Sequence, residues 1–153
     1  MFSICLAKEQ DAAEILALQR LAFQSEALLY NDWSIPPLTQ SLESLLAEFE
    51  SSIVLKAMSG TRLVGSVRAK IADGICSIAR LIVNPEFQGQ GIGSVLLEAI
   101  EMRCPGADKY ELFTGSESDA SIRLYQRLGY KISGTQAISP AISLVSLEKP
   151  GAP

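Results

Sequence analysis

Histidine is absent from this sequence, and its 153 residues include only three cysteines. Without histidine there is no imidazole base, no Ser-His-Asp or Cys-His nucleophile system and no histidine ligand for a metal. The cysteines, Cys5, Cys76 and Cys104, are odd in number and form no Cys-x-x-Cys pair. Their spacing argues against a disulfide framework or a zinc site, so we expect reduced thiols and no bound metal. Proton transfer must therefore use Tyr, Glu, Asp, Cys, Lys or water.

Long apolar runs and basic charge are also scarce. No apolar run approaches the roughly 18 residues that a membrane span needs, and the segment from Met1 to Ala7 lacks the basic start of a signal peptide. The formal net charge of −4 opposes general affinity for nucleic acid and favours a cationic, amine-bearing ligand. We expect a cytoplasmic protein without a membrane or nucleic-acid partner. No linker divides the chain, so residues 1–153 are predicted to form a single domain.

A glycine-rich segment joins an apolar run, residues 79–83, to a strongly helical stretch. The segment consists of Gln88, Gly89, Gln90, Gly91, Ile92, Gly93 and Ser94. This order predicts a strand, a glycine loop and a helix N-terminus. The first N–H groups of a helix lack intrahelical partners, and glycines let a ligand approach them closely. We therefore predict that the loop binds a phosphate or pyrophosphate.

Spacing separates three classes of glycine loop that could bind such an anion. A nucleotide-triphosphate loop needs a lysine before Ser or Thr after its last glycine, and none is present. A dinucleotide fingerprint has its third glycine where this chain has Ser94, and the link from strand to loop is too long for its tight turn. The third pattern, Gln-x-x-Gly-x-Gly, is complete with Gln88, Gly91 and Gly93. In this segment the chain resembles the acyl-coenzyme-A-binding core of the GNAT N-acetyltransferase superfamily.

A second segment, residues 118–130, resembles the same family. It is predicted to be a short helix that Ser118 caps and Gly129 ends. Its Leu-Tyr-x-x-x-Gly-Tyr stretch is similar to one in which GNAT enzymes place a tyrosine beside the sulfur of coenzyme A. The resemblance implies that Tyr125 is the general acid for the leaving thiolate. Ser118 and Ser121 stand where relatives often have Asn and Ala, and they are the candidate contacts to the pantetheine arm.

The remaining pattern predicts an α/β chain. Strands are predicted at residues 2–7, 52–58, 62–71, 75–83, 110–114, 130–135 and 141–148. Helices are predicted to begin at Asp11, with Glu14 completing a capping box, at Thr39 or Ser41, at Gly93 and at Ser118. The strand–helix–strand unit around the glycine loop implies a parallel pair. This order resembles the GNAT arrangement, an α/β (α+β) fold whose mainly antiparallel sheet of six to seven strands contains a splayed parallel pair and is flanked by about four helices.

The resemblance also implies a reaction. GNAT enzymes transfer the acetyl group of acetyl-CoA directly to an amine in a ternary complex. The pantetheine arm would enter the splay and pair with the backbone of Leu81, Ile82 and Val83. Backbone donors there would polarise the thioester carbonyl.

The general base is not marked by the sequence. Many relatives have a glutamate on the strand before the glycine loop, but residues 75–83 contain no carboxylate. The candidates are Glu26, Asp32, Glu111 and Glu117, or a chain of water molecules, and among them we favour Glu26.

The acceptor pocket is expected along residues 22–39, which cover the mouth of the splay in this family. Glu26, Tyr30, Asp32 and Trp33 combine aromatic and acidic groups there, which suits a small primary amine. Arg68 and Arg80, on neighbouring predicted strands, could instead bind a substrate carboxylate.

Three other functions stay open at this point. A non-catalytic acyl-CoA sensor could use the same scaffold, and a nucleotide-binding regulatory module could use the same glycine loop. The acceptor could also be a protein N-terminus or lysine. The sequence decides neither whether the chain forms a homodimer nor whether acetyl is its only acyl group.

Overall fold

The computed structural model describes residues 2–151, and its strands form one mixed sheet. They are β1 (Ser3–Leu6), β2 (Ile53–Ser59), β3 (Arg62–Ala72), β4 (Ile75–Val83), β5 (Lys109–Gly115), β6 (Lys131–Ala137) and β7 (Ser143–Pro150). The spatial order is β1-β2-β3-β4-β5-β7-β6, and every neighbouring pair is antiparallel except β4 and β5. The predicted fold class is therefore confirmed, including its one parallel pair.

The helices cover both faces of this sheet. They are α1 (Ala12–Ala22), α2 (Gln24–Tyr30), α3 (Pro36–Thr39), α4 (Leu42–Ser51), α5 (Ile92–Met102) and α6 (Asp119–Arg127). The prediction of about four helices did not distinguish α2 from α1. In the structure the two helices are separated at Phe23, whose backbone angles (φ −86°, ψ 2°) depart from helical geometry. Within residues 2–151 no helix combines the length and the apolar character that crossing a membrane requires.

Two apolar clusters hold the helices against the sheet. On one face α5 buries Leu96, Leu97 and Ile100 against β3, β5 and β7. On the other face α1 and α4 bury side chains such as Ile15 and Leu45 against β2, β3 and β4. Because a strand alternates its side chains between faces, β2, β3 and β4 each contribute to both clusters.

The predicted helix caps are only partly correct. The Ser41 side chain accepts a hydrogen bond from the Ser44 N–H and caps α4, as predicted. The capping box at α1 is wrong, because the Asp11 carboxylate accepts from the Lys8 N–H at 2.8 Å and pairs with Lys56 at 2.9 Å. Ser118 stands at the N-cap position of α6 but makes no capping bond with its side chain.

The sheet opens at the carboxyl end of β4. Pairing between β4 and β5 is confined to residues 75–77 and 109–111. Further along, β4 contains a bulge, since Arg68 pairs with Ala79 and Ser66 pairs with Ile82. Two β4 residues therefore oppose one β3 residue, which bends the strand away from regular pairing. The two strands consequently diverge and leave a cleft between them.

Candidate active site

The cleft contains two adjoining cavities. The larger, of about 730 Å³, lies between β4 and β5 under the segment that runs from α1 to α3. The smaller, of about 370 Å³, lies against the glycine loop and α6. Both cavities are lined by Leu81, Val83, Gln88, Ser121 and Tyr125. Tyr125 and the end of β4 thus mark the boundary at which a ligand in one cavity would meet a ligand in the other.

The glycine loop presents unpaired backbone donors to the smaller cavity. Gly89 and Gly91 have φ values of 79° and 82°, and Gly91 is the N-cap of α5. A Cβ atom added to either glycine would have no other atom within 4 Å, so the space beside the loop is open. In the described part of the chain, the N–H groups of residues 89–94 donate to no backbone carbonyl. The loop and the first turn of α5 are therefore built to receive an anion.

Arg127, in the last turn of α6, is an additional residue of this cavity. It is exposed and lines the smaller cavity together with the glycine loop. The sequence analysis missed it, because an exposed arginine in a helix carries no distinguishing pattern. Its positive charge adds to the attraction of the loop for an anion.

Tyr125 is buried at the boundary of the two cavities. Only 8% of the residue is exposed, and its ring lies 6.2 Å from that of Tyr130. Among residues 2–151 its hydroxyl has no hydrogen-bond partner, so it is free to interact with a ligand. Burial, with a smaller contribution from the negative charge of Glu26, raises the pKa of Tyr125 to about 12. The phenol therefore keeps its proton at neutral pH, as a general acid must.

Glu26 enters the larger cavity from α2 and is held by a chain of hydroxyl groups. The Ser118 hydroxyl donates to Glu26 Oε2 at 2.7 Å, and Tyr30 Oη lies 2.9 Å from Ser118 Oγ. Tyr30 Oη in turn accepts from the Glu117 N–H at 3.0 Å, which leaves its own proton for Ser118. These hydrogen bonds connect α2 to the start of α6. The buried Ser118 hydroxyl thus donates its hydrogen bond to Glu26. Ser118 is not part of either cavity wall, whereas Ser121 lines both cavities.

Close approach of Tyr30 to β5 requires a glycine. A Cβ atom on Gly115 would lie only 1.9 Å from Tyr30 Oη. Real Cβ atoms are never so close to an oxygen, so any larger residue would displace Tyr30. Glycine at position 115 therefore allows the hydrogen bonds that link Tyr30, Ser118 and Glu26.

The other predicted acidic and aromatic residues lie at different distances from the cleft. Asp32 lines the larger cavity, and hydrogen bonds from the Ser34 side chain and N–H hold the pKa of its carboxyl below the usual value. Trp33 is 57% exposed and lines neither cavity. Neither Glu111 nor Glu117 lines a cavity wall. Of the four candidate bases, the structure therefore places only Glu26 and Asp32 in the cleft.

Arg68 belongs to a polar network in the interior. It is 2% exposed, and its guanidinium donates to Glu48 Oε1 at 2.9 Å, Gln19 Oε1 at 3.1 Å and Gln40 Oε1 at 2.9 Å. Burial would raise the pKa of Glu48, but hydrogen bonds from Arg68 and Gln40 outweigh it and hold that pKa below the usual value. Arg68 lines neither cavity, because its donors are directed to these side chains.

Arg80 differs from Arg68 in its hydrogen-bond partners and in its access to the cleft. It lies in the bulge of β4 with a φ of 53° and lines the larger cavity. Within residues 2–151, its buried Nε atom has no hydrogen-bond partner. Burial, and next the charge of Arg68, lowers the pKa of Arg80.

The cysteines lie away from the cleft. Cys76 and Cys104 are buried free thiols whose sulfur atoms are 2.9 Å apart, whereas Cys5 is exposed. Within the described ranges, no group of three or more Cys, Asp and Glu side chains is placed to hold a metal ion.

Comparison with known proteins shows the family. Residues 13–130 match the family model described as Acetyltransferase (GNAT) family. The chain belongs to the GNAT family. The UPF0157 protein YqkA of Bacillus subtilis (strain 168) is 27% identical to it over 124 residues, which cover 81% of this chain but only 36% of YqkA. The chain thus spans little more than a third of that curated relative.

Solved GNAT structures share the fold along the chain. The ribosomal-protein-S18-alanine N-acetyltransferase from Escherichia coli is 16% identical with a TM-score of 0.83, and the match covers 100% of this chain and 96% of that one. The PaiA N-acetyltransferase from Thermoplasma acidophilum, solved in complex with coenzyme A, is 20% identical with a TM-score of 0.83, over 98% and 99% of the two chains. At such identities these structures show the fold alone.

Proposed function

We propose that this GNAT protein transfers the acetyl group of acetyl-CoA to a small primary amine by direct attack in a ternary complex. The observation that carries the proposal is the arrangement of the cleft. The anion-binding backbone of the glycine loop lies at one end, carboxylates line the other, and the Tyr125 hydroxyl lies between them. Donor and acceptor could therefore meet beside one proton donor and one proton acceptor.

The smaller cavity fits the phosphates of coenzyme A. The free N–H groups of residues 89–94 and the Arg127 side chain would hold the pyrophosphate. The edge of β4 at residues 81–83 is not paired with β5, so its backbone is available to a pantetheine arm, with Ser121 on the opposite wall. When bound, acetyl-CoA supplies an activated acetyl group. The complex of PaiA with coenzyme A supports this assignment.

The acidic wall of the larger cavity supplies a proton acceptor. An alkylamine with a pKa near ~10 is mostly protonated at neutral pH and must lose a proton before it can attack. Glu26 would attract the ammonium group and accept that proton, while the Ser118 and Tyr30 hydroxyls hold its carboxylate in place. Asp32, on the same wall, would add to the attraction.

Tyr125 would complete the transfer by protonating the leaving sulfur. Its hydroxyl has no protein partner in the described residues, and its raised pKa of about 12 keeps it protonated until the thiolate forms. The ammonium group would give one proton to Glu26 before attack, and Tyr125 would give one to the sulfur. The second proton that the attacking nitrogen must lose would then return Tyr125 to its neutral form. A cytoplasmic location stays a prediction from the sequence, and the oligomeric state stays open.

The proposal is tested by measuring thiol release from acetyl-CoA with a panel of acceptors. The panel contains polyamines, aminoglycosides, amino acids, short peptides and a folded protein with a free N-terminus. We expect release that depends on a small amine, with the acetylated amine identified by mass spectrometry. Transfer only to the folded protein would refute the small-molecule acceptor. Tight coenzyme A binding without transfer to any amine would instead indicate a sensor.

A further inference from the structure

Two arginines on adjacent strands, Arg68 on β3 and Arg80 on β4, differ in their hydrogen-bond partners. Arg68 donates to three side chains of the interior, and the Glu48 carboxylate accepts from Arg68 through both of its oxygens. Gln40 also donates to Glu48. In the part of the chain that the structure describes, Arg80 Nε has no acceptor, although the negative charge of Glu48 favours the charged form of Arg80.

The position of Arg80 is imposed by the bulge in β4. Ile78 packs in the cluster beneath α5, whereas Ile82 packs in the cluster beneath α1 and α4. In a regular strand these two residues and Arg80 would all share one face, so the bulge reverses the alternation at Arg80. The φ of 53° is costly for a residue with a long side chain. The fold therefore maintains a strained conformation that directs this arginine to the cavity wall.

The guanidinium is incompletely satisfied in that position. Among residues 2–151, Arg80 Nε is the one buried side-chain nitrogen or oxygen that lacks a hydrogen-bond partner. A buried donor without an acceptor is rare in folded proteins, and for a charged group it is especially unfavourable. Because Arg80 also lines the larger cavity, an anionic oxygen of a ligand there would meet this guanidinium, and guanidinium and carboxylate groups form paired, charge-assisted hydrogen bonds.

We propose that Arg80 binds a carboxylate of the acceptor, and that the acceptor is therefore a small amine carrying a carboxylate, of the amino-acid class. This inference rests on the proposed function. Glu26 and Asp32 line the same cavity and would attract the ammonium group, while Arg80 on β4 binds the opposite charge. An amphoteric ligand would then bind in one orientation, with its amine directed towards Tyr125. Arg80 does not line the smaller cavity, which separates it from the phosphates of the donor.

The test compares matched acceptors with two Arg80 variants. Amino acids are compared with their amides and with the corresponding decarboxylated amines. The variants are Arg80→Gln and Arg80→Asn, the second because asparagine tolerates positive φ. Arg123→Gln, an exposed arginine of α6 that lines neither cavity, is the control. Thermal unfolding checks that each variant folds.

For the wild-type protein we expect a KM for amino acids about ten to a hundred times lower than that for amides or decarboxylated amines. Both Arg80 variants should remove this preference, while the KM for acetyl-CoA stays nearly constant. Equal use of acids and amides by the wild type would overturn the proposal. So would a rise in the KM for acetyl-CoA that matches the rise for the acceptor, because Arg80 would then serve the donor.

A binding measurement separates this proposal from the proposed function. An N-acetylated amino acid is titrated into the coenzyme-A-loaded protein and compared with its amide by calorimetry. Binding that requires both the carboxylate and Arg80 supports the subsite even where no transfer occurs, and the proposed function alone would then fail. Equal binding of acid and amide contradicts the subsite even where amines are acetylated.

Discussion

The two ends of the cleft present different chemical groups to a ligand. At the proposed donor end, the cavity borders the glycine loop, where the N–H groups of residues 89–94 donate to no backbone carbonyl in the described part of the chain, and Arg127 adds a positive charge. At the proposed acceptor end, side chains from distant parts of the chain line the cavity, among them Glu26 and Arg80. A backbone site depends on conformation, which a few glycines specify locally. A side-chain site depends on tertiary contacts, so its chemistry can change without altering the fold.

Substitution of Gly91 by glutamate should give the largest effect, confined to the donor end. The added carboxylate would occupy the open space beside the loop and repel the phosphates. We expect coenzyme A affinity, measured by calorimetry, to fall by at least about a hundredfold. Gly60→Glu is the matched control, because Gly60 has a similar φ of 61° and equally open surroundings in the β2–β3 turn. Equal affinities of the two variants would contradict the loop assignment.

Removal of the Tyr125 hydroxyl should slow the chemical step, because Tyr125 lies where the two cavities meet. Tyr125→Phe keeps the ring but removes the proton, so kcat should fall by roughly a hundredfold with an acceptor for which chemistry limits the rate. Stability should hardly change, because the hydroxyl has no protein partner in the described residues. In the wild type, the pKa of about 12 predicts no loss of kcat from Tyr125 up to about pH 10.

Tyr110→Phe is the control for that experiment. Tyr110 is buried and donates to the Glu101 carbonyl, but it lines neither cavity. Loss of the Tyr110 hydroxyl should leave kcat unchanged. If both tyrosine variants turn over like the wild type, Tyr125 only fills space in the core.

Neutralisation of Glu26 should give a smaller effect, confined to the acceptor end. Glu26→Gln keeps an oxygen for the Ser118 hydroxyl but loses the charge, so the KM of the acceptor should rise about tenfold. If Glu26 is the base, the rise of rate with pH should also flatten. The affinity for coenzyme A should stay constant. Glu50→Gln, an exposed carboxylate of α4, should change none of these quantities, and identical pH profiles for the two variants would exclude Glu26 as the base.

Neutralisation of Glu48 should have the smallest effect on activity but a measurable one on stability. The pKa of Glu48 is depressed in the folded state, so its contribution is present above the unfolded pKa near ~4.3 and is lost as the pH falls through the folded value. Glu48→Gln should lower the free energy of unfolding by about 2 kcal/mol at pH 7. Near pH 3 the two proteins should be closer in stability. A constant difference across this range would contradict the ion pair with Arg68.

The glycine loop before α5 and most of the sheet could be predicted because their signals are local. The predicted strand 75–83 coincides with β4, since turn-forming residues bound its alternating pattern on both sides. The predicted start of the helix after the glycine loop is one residue from that of α5. The spacing of Gln88, Gly91 and Gly93, together with the segment at residues 118–130, indicated the family that the comparison then showed.

The acceptor end could not be predicted to the same degree. Nothing in the sequence distinguishes Arg68 from Arg80, because the bulge arises from the register of β4 on β3. The Glu26 partner Ser118 is 92 residues away along the chain and was assigned to helix capping and the pantetheine arm. The predicted cap at Asp11 failed for a related reason, since the distant Lys56 attracts its carboxylate. In each case a contact with a residue distant in sequence contributes to the outcome, and the local pattern does not indicate it.

Transfer of a labelled acetyl group tests the central claim most directly. The wild-type protein is incubated with [¹³C]acetyl-CoA, with and without the small-amine panel, and the label is followed by NMR and by the intact mass of the protein. Direct attack in a ternary complex predicts labelled N-acetyl amine equal in amount to the free thiol of coenzyme A, with the protein itself unlabelled in the absence of acceptor. Label retained on the protein, or no labelled amine from any member of the panel, would contradict the account.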